Sequence, residues 1–118
     1  MNGHRHINLS YLERMSHGDI SVKKTLLEML LKELEVEIPK MKRLINRQDW
    51  LALREASHKM KTTLPFVGNH TMLDANLEIE TRAKYKERLE DVHQYQQVLE
   101  KLCPPVLEEL KKEYAKLT

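Results

Sequence analysis

From Ile20 to Ile45 the residues Ile20, Leu27, Leu30, Leu31, Leu34, Ile38, Met41 and Ile45 recur at the i, i+3, i+4, i+7 spacing of one helix face. No stretch of the 118-residue chain alternates as a strand would, so the rest must fold against this helix as further helices. The spacing predicts a helix over residues 20–46. Pro39 falls inside it and removes one hydrogen bond, which predicts a bend rather than a boundary between domains. Val22, Leu26, Met29 and Leu44 flank the stripe and either widen the buried face or stay exposed.

The remaining elements follow from caps and breakers. Residues 1–8 read as a loose polar tail. Its His4-x-His6 pair is a metal-binding pattern in principle, but in such a tail it reads as unstructured. A short helical turn is expected around Leu9 to Met15, ended by Gly18, with Asp19 capping the long helix. Asp49 caps a third helix, expected to stop near Leu64 because the residue before Pro65 avoids helical angles; Phe66-Val67-Gly68 would then be the turn. A fourth helix starts near Asn69 or Thr71, with Met72, Ala75 and Ile79 inward and residues 82–88 increasingly polar. A fifth spans about Asp91 to Leu117 on the stripe Tyr95, Leu99, Leu102, Val106, Leu110 and Leu117, and Cys103-Pro104-Pro105 should kink or break it. Four long helices with short connections imply an all-α, antiparallel four-helix bundle preceded by a short extra helix.

Charge and composition exclude several functions. The net charge is +2, with basic and acidic residues interleaved, whereas a nucleic-acid binder concentrates its cations on one face. No apolar run reaches membrane-spanning length and no signal-peptide pattern opens the chain. The lone Cys103 excludes an internal disulfide and fits a reducing, cytoplasmic setting. Three glycines in total cannot supply a glycine-rich phosphate loop for ATP.

Chemistry concentrates in the third helix. At about 100° per residue, Leu53, Ala56, Met60 and Leu64 share one arc with Ser57 at its edge, and His58 points nearly opposite, flanked by Leu51, Arg54, Lys61 and Thr62. Lys61, one turn on, reaches the same point in space as His58. On this helix no carboxylate is closer than Glu55, so the face is expected to tolerate an anion, and Leu51 offers an apolar contact. Neutral imidazole is a competent nucleophile near pH 7, and an adjacent lysine offsets the charge of an attached phosphoryl group.

A histidine, a lysine three residues on, a small residue next and a glycine ten residues after the histidine occur here as His58, Lys61, Thr62 and Gly68. This pattern resembles the histidine phosphotransfer (HPt) domains of multistep phosphorelays. The resemblance extends to Tyr11–Met15 with Gly18-Asp19, to Leu30-Leu31 through Leu44-Ile45, to Asp49–Leu53 and to the apolar-Glu pair Ile79-Glu80, and so covers residues 9–118. It implies a phosphocarrier, not an enzyme: His58 would take a phosphoryl group from a receiver-domain aspartate and pass it to another receiver. Lys61 would stabilise the phosphohistidine, with weaker positive potential from Lys59 or Arg54. Docking would use Leu51, Arg54, Glu55, Lys59, Thr62, Pro65 and Gly68. No cofactor is expected in this chain, since Mg²⁺ belongs to the partner receiver. The implied partners are response-regulator receiver domains, with a hybrid sensor histidine kinase as a further candidate; a monomer is expected because the long helices can close their own core, with Leu26 or Leu44, if exposed, as the support for a dimer. Thr62 departs from the glycine usual after the lysine and would crowd an approaching partner. Histidine-kinase dimerisation domains carry an acidic residue directly after the histidine, where this chain has Lys59.

The competing reading is a helical scaffold that docks a protein partner without phosphorylation. The other titratable residues give no third reading. His17, His70 and His93 lack metal-ligand spacing, Met41, Met60 and Met72 lie on core stripes, and Cys103 reads as a small buried residue.

Overall fold

The structure, a computed structural model, describes residues 4–117. It contains α1 (Ser10–Ser16), α2 (Ile20–Asn46), α3 (Trp50–Val67), α4 (His70–Tyr85) and α5 (Val92–Ala115), with a 3-10 turn over Leu89–Asp91. The starts are set by side chains that accept from the orphan amides of the first turn: Asp19 from Val22, Asp49 from Ala52 and Asn69 from Met72. Left-handed residues end three of the helices, with His17 after α1, Gly68 after α3 and Lys86 after α4. Short turns return each helix against the last. α2 packs on α3, α3 on α4, α4 on α5 and α5 back on α2, while α1 lies against α2 and α3. This is the expected all-α four-helix bundle with an extra short helix. It measures 43 × 21 × 19 Å along its principal axes.

The core is built from the sequence stripes. Leu27, Leu34, Ile38, Met41 and Ile45 of α2, Leu53, Met60 and Leu64 of α3, Met72 and Ile79 of α4, and Leu99 of α5 are all fully buried. Each such side chain contributes about 1.5–3 kcal/mol by leaving water. Burial in α2 begins only at Leu27, so Ile20, in the first turn, is exposed despite sitting in the stripe. Leu44, beside the stripe, is buried, while Val22 and Met29 are exposed.

Several boundaries move once tertiary contacts are present. α3 does not stop at Leu64 but runs through Pro65 to Val67. The proline forfeits one bond, to the Lys61 carbonyl, and packing outweighs that loss. Phe66 stacks on Tyr11 with ring centroids 4.9 Å apart, and Val67 is fully buried. α5 likewise continues unbroken through Pro104 and Pro105, held by buried Cys103, Val106 and Leu110. Arg82, expected on a polar stretch, lies over the Tyr95 ring at 4.8 Å, with Glu78 on its guanidinium.

The largest departure is at the N-terminus. Met1 to Gly3 lie outside the described residues, but residues 4–8 are not a loose tail. Ile7 is buried, the Asn8 amide donates to Val67 O at 2.9 Å, and the Asn69 side chain donates to His6 O at 2.9 Å. The His6 amide donates to Glu109 Oε1 at 3.0 Å, with its ring 2.5 Å from Glu109 Oε2. His4 Nε2 lies 2.8 Å from Glu113. The segment is a strap across one end of the bundle, tying α5 to the α3–α4 turn. Gly68 is required there twice over: its φ is +73°, and a Cβ would stand 2.1 Å from the Asn8 carbonyl oxygen.

Candidate functional site

In α3 the buried residues are Leu53, Ala56, Ser57, Met60, Thr63, Leu64 and Val67. His58 points away from that face and its side chain is 71% exposed. Its ring is nevertheless held. Glu80, from α4, brings Oε2 to 2.6 Å from His58 Nδ1 and Oε1 to 3.9 Å from Lys61 Nζ. The Glu80 side chain is only 12% exposed, so one largely covered carboxylate bridges the two residues singled out by sequence.

This corrects the expectation that no acidic group near His58 would matter. A helical wheel sees only its own helix, and Glu80 arrives from the neighbouring one. The consequence is chemical. A carboxylate accepts hydrogen bonds, so neutral imidazole facing one at Nδ1 keeps its proton there and carries its lone pair on Nε2. The nitrogen with nucleophilic character is thus the one on the far side of the ring from Glu80.

His58 lines an open groove between α3 and α4, about 610 Å³ in volume, together with Leu51, Arg54, Glu55 and Lys61. Sequence reasoning missed the opposite wall, made by Leu77, Glu80, Thr81, Lys84 and Tyr85. Leu51, Leu77 and Tyr85 are among the most exposed large apolar residues of the molecule. The groove thus combines exposed apolar side chains with the cations Arg54, Lys61 and Lys84 and the carboxylates Glu55 and Glu80. The Ile79-Glu80 pair was visible in the chain, but only the packing of α4 on α3 gives Glu80 its role.

The other expected docking residues lie elsewhere. Lys59 faces α2, where Nζ donates to Glu37 at 3.1 Å. That hydrogen bond, with the charge of Glu37, holds the ammonium more firmly protonated than an ordinary lysine. Its charge is spent on Glu37 and adds little potential at His58. Thr62 also lies toward α2, lining a depression with Leu26, Met29 and Phe66, and its hydroxyl donates to Lys59 O at 2.8 Å. Pro65 and Gly68 sit at the strap end of α3.

Among the described residues, no three His, Cys, Asp or Glu side chains are arranged to hold a metal ion. His4 and His6 are instead engaged with Glu113 and Glu109. Burial, with Glu35 adding to it, pushes the Cys103 thiol above its ordinary pKa and keeps it neutral. No helix among the described residues is long and apolar enough to cross a membrane.

A family model described as the Hpt domain matches residues 25–118, which includes α3, α4 and the whole groove. The chain belongs to the Hpt domain family. Neither a curated protein nor a solved structure matches it significantly. Membership makes it a histidine phosphocarrier of the phosphorelay type, from a family that interacts with receiver domains and lacks kinase activity of its own.

Proposed function

We propose that His58 is the phosphoryl-accepting residue and that Nε2 is the reacting atom. The observation that carries this reading is the contact of Glu80 with Nδ1 of a ring that otherwise stands open to solvent. The Nε2 lone pair attacks the phosphorus of a receiver's aspartyl phosphate. The P–N bond forms as the P–O bond to the aspartyl carboxylate breaks, and that carboxylate leaves. The imidazole keeps its Nδ1 proton, and the positive charge it gains is balanced by Glu80. Lys61 adds a cation beside the phosphoryl oxygens. In the onward step the carboxylate of a second receiver attacks phosphorus, the P–N bond breaks and neutral imidazole is restored.

The chain needs no cofactor for this exchange, because Mg²⁺ is held in the receiver's acidic pocket. Receivers would dock over the groove, covering Leu51, Leu77 and Tyr85, with Arg54, Lys61 and Lys84 meeting their acidic residues. Such transient contacts bury about 1,200 Å² or less in total. The chain acts as a monomer.

The test is transfer from a ³²P-labelled receiver domain to wild type and to His58→Gln. Acid-labile, base-stable label on the wild type alone supports the reading. Label retained by the variant would move the site elsewhere. No label on either folded protein would leave docking without phosphorylation as the function.

A further inference from the structure

Among the described residues, the fully buried part of the seam between α3 and α4 is apolar except at one point. Leu53, Met60 and Leu64 meet Met72, Ala75 and Ile79 there, all buried. Apolar contacts are non-directional, so they specify the register of two packed helices less sharply than a hydrogen bond with fixed distance and angle does. Between them sit Ser57, 0% exposed, and Asn76, 2% exposed. Ser57 Oγ lies 2.8 Å from Asn76 Oδ1 and 3.0 Å from Asn76 O, and Asn76 Nδ2 donates to Ser57 O at 2.9 Å. Among the described residues this is the buried side-chain pair that hydrogen-bonds α3 to α4.

Its place in the sequence links it to the site. Ser57 directly precedes His58, and Asn76 lies one helical turn before Glu80. A slip of α4 by one residue would shift Glu80 about 1.5 Å along the seam and turn it by about 100°. The 2.6 Å contact with Nδ1 would not survive that. We propose that Ser57 and Asn76 are positioning residues, a buried clamp that fixes the register of α4 on α3. The clamp thereby delivers Glu80 to His58 Nδ1 and selects Nε2 as the nucleophile. This rests on the phosphocarrier reading, and it makes the choice of reacting nitrogen a property of the helix seam.

Nitrogen-15-edited spectra of the histidine rings test it, since they report which nitrogen carries the proton whether or not the protein is ever phosphorylated. The comparison is wild type, Glu80→Gln and the double variant Ser57→Ala with Asn76→Leu. Replacing both partners by apolar groups leaves no orphaned donor or acceptor, so the double variant keeps its helices. The wild-type His58 ring is expected mainly as the Nδ1–H tautomer. In the double variant the tautomer ratio should fall about tenfold, the scale of one charge-assisted hydrogen bond, and toward the value of Glu80→Gln. Uptake of phosphoryl from phosphoramidate, in which Nε2 displaces ammonia from phosphorus, should fall with it. An unchanged ratio in the folded double variant overturns the clamp, because a merely stabilising pair would not move the tautomer. Should the double variant fail to fold, Ser57→Ala alone keeps the Asn76 Nδ2 bond and is read the same way: a partial fall supports the clamp, no change overturns it. A wild type that shows the Nδ1–H tautomer but takes no label from phosphoramidate or receivers fails the phosphocarrier reading, while the ring spectra still decide the clamp.

Discussion

Among the described residues imidazole–carboxylate contacts occur at two places, and they differ in what surrounds the ring. At the strap, the His4 side chain is 9% exposed and reaches two carboxylates, with Nε2 2.8 Å from Glu113 and Nδ1 3.6 Å from Glu109. His6 bonds Glu109 from beside it. On α3, the His58 side chain is 71% exposed and Glu80 takes one side of the ring only. The same pairing fastens His4 through both ring nitrogens, whereas at His58 it engages Nδ1 alone and leaves the rest of the ring to water. Exposure of the ring, rather than the presence of a carboxylate, separates the two sites.

The comparison breaks first at His58. His58→Gln should abolish phosphoryl uptake, whereas His4→Gln with His6→Gln should leave the labelling of His58 unchanged; label lost equally in both would erase the distinction. Next is Gly68→Ala, which meets both the left-handed φ and the Asn8 carbonyl. It should cost about 1–2 kcal/mol from the backbone alone and more from the clash. Thermal unfolding with and without residues 1–8 separates the parts, and only the backbone part should persist in the truncated protein. Glu80→Gln should slow transfer about tenfold or more with little change in melting temperature. Loss of stability without loss of rate would reassign Glu80 to the fastening class.

At the strap, burial alone would raise Glu109, but hydrogen bonds from the His6 backbone and ring, with the charges of His6 and His4, hold it below the ordinary carboxylate value. At Glu113 burial likewise raises the carboxyl, but hydrogen bonds from Lys116 and His4, with their charges, outweigh it and hold the group below its ordinary value. Folded values below the unfolded ones mean that this stabilisation is complete above the unfolded-chain value, about 4.3, and is lost as pH falls through the folded values. Protection of the Asn8 amide against exchange, measured relative to the unfolded-chain rate at each pH, should therefore fall in acid before protection in the core of α3 does. The smallest effect is expected from Thr62→Gly: about 0.3–0.5 kcal/mol of helix stability and no change in phosphoramidate labelling, since Thr62 faces α2.

Much of the fold was legible because each helix carries its own signals. The α2 stripe, the Asp19 and Asp49 caps and the glycine after α3 are local facts, and they locate helices to within a few residues. What failed was non-local. Pro65 and Pro104-Pro105 look like stops until Phe66 on Tyr11 and the buried face of α5 supply what the lost hydrogen bonds do not. The strap reads as a polar tail because the partners of His4 and His6 are more than a hundred residues away. At the site, the placement of His58 and Lys61 on one face follows from helical angle. Glu80 and Asn76 do not, because their meaning lies in how two helices are set side by side. Lys59 shows the converse: a cation next to the histidine in sequence is committed to another helix.

The strap contacts join residues 103 and 109 positions apart. Closing contacts that distant costs loop entropy before it is repaid, so they are expected to form late, after the bundle has brought α5 alongside α3. Interactions of that kind slow unfolding and leave the folding rate nearly untouched. His4 and His6 are therefore expected to act on the lifetime of the folded protein rather than on how quickly it forms.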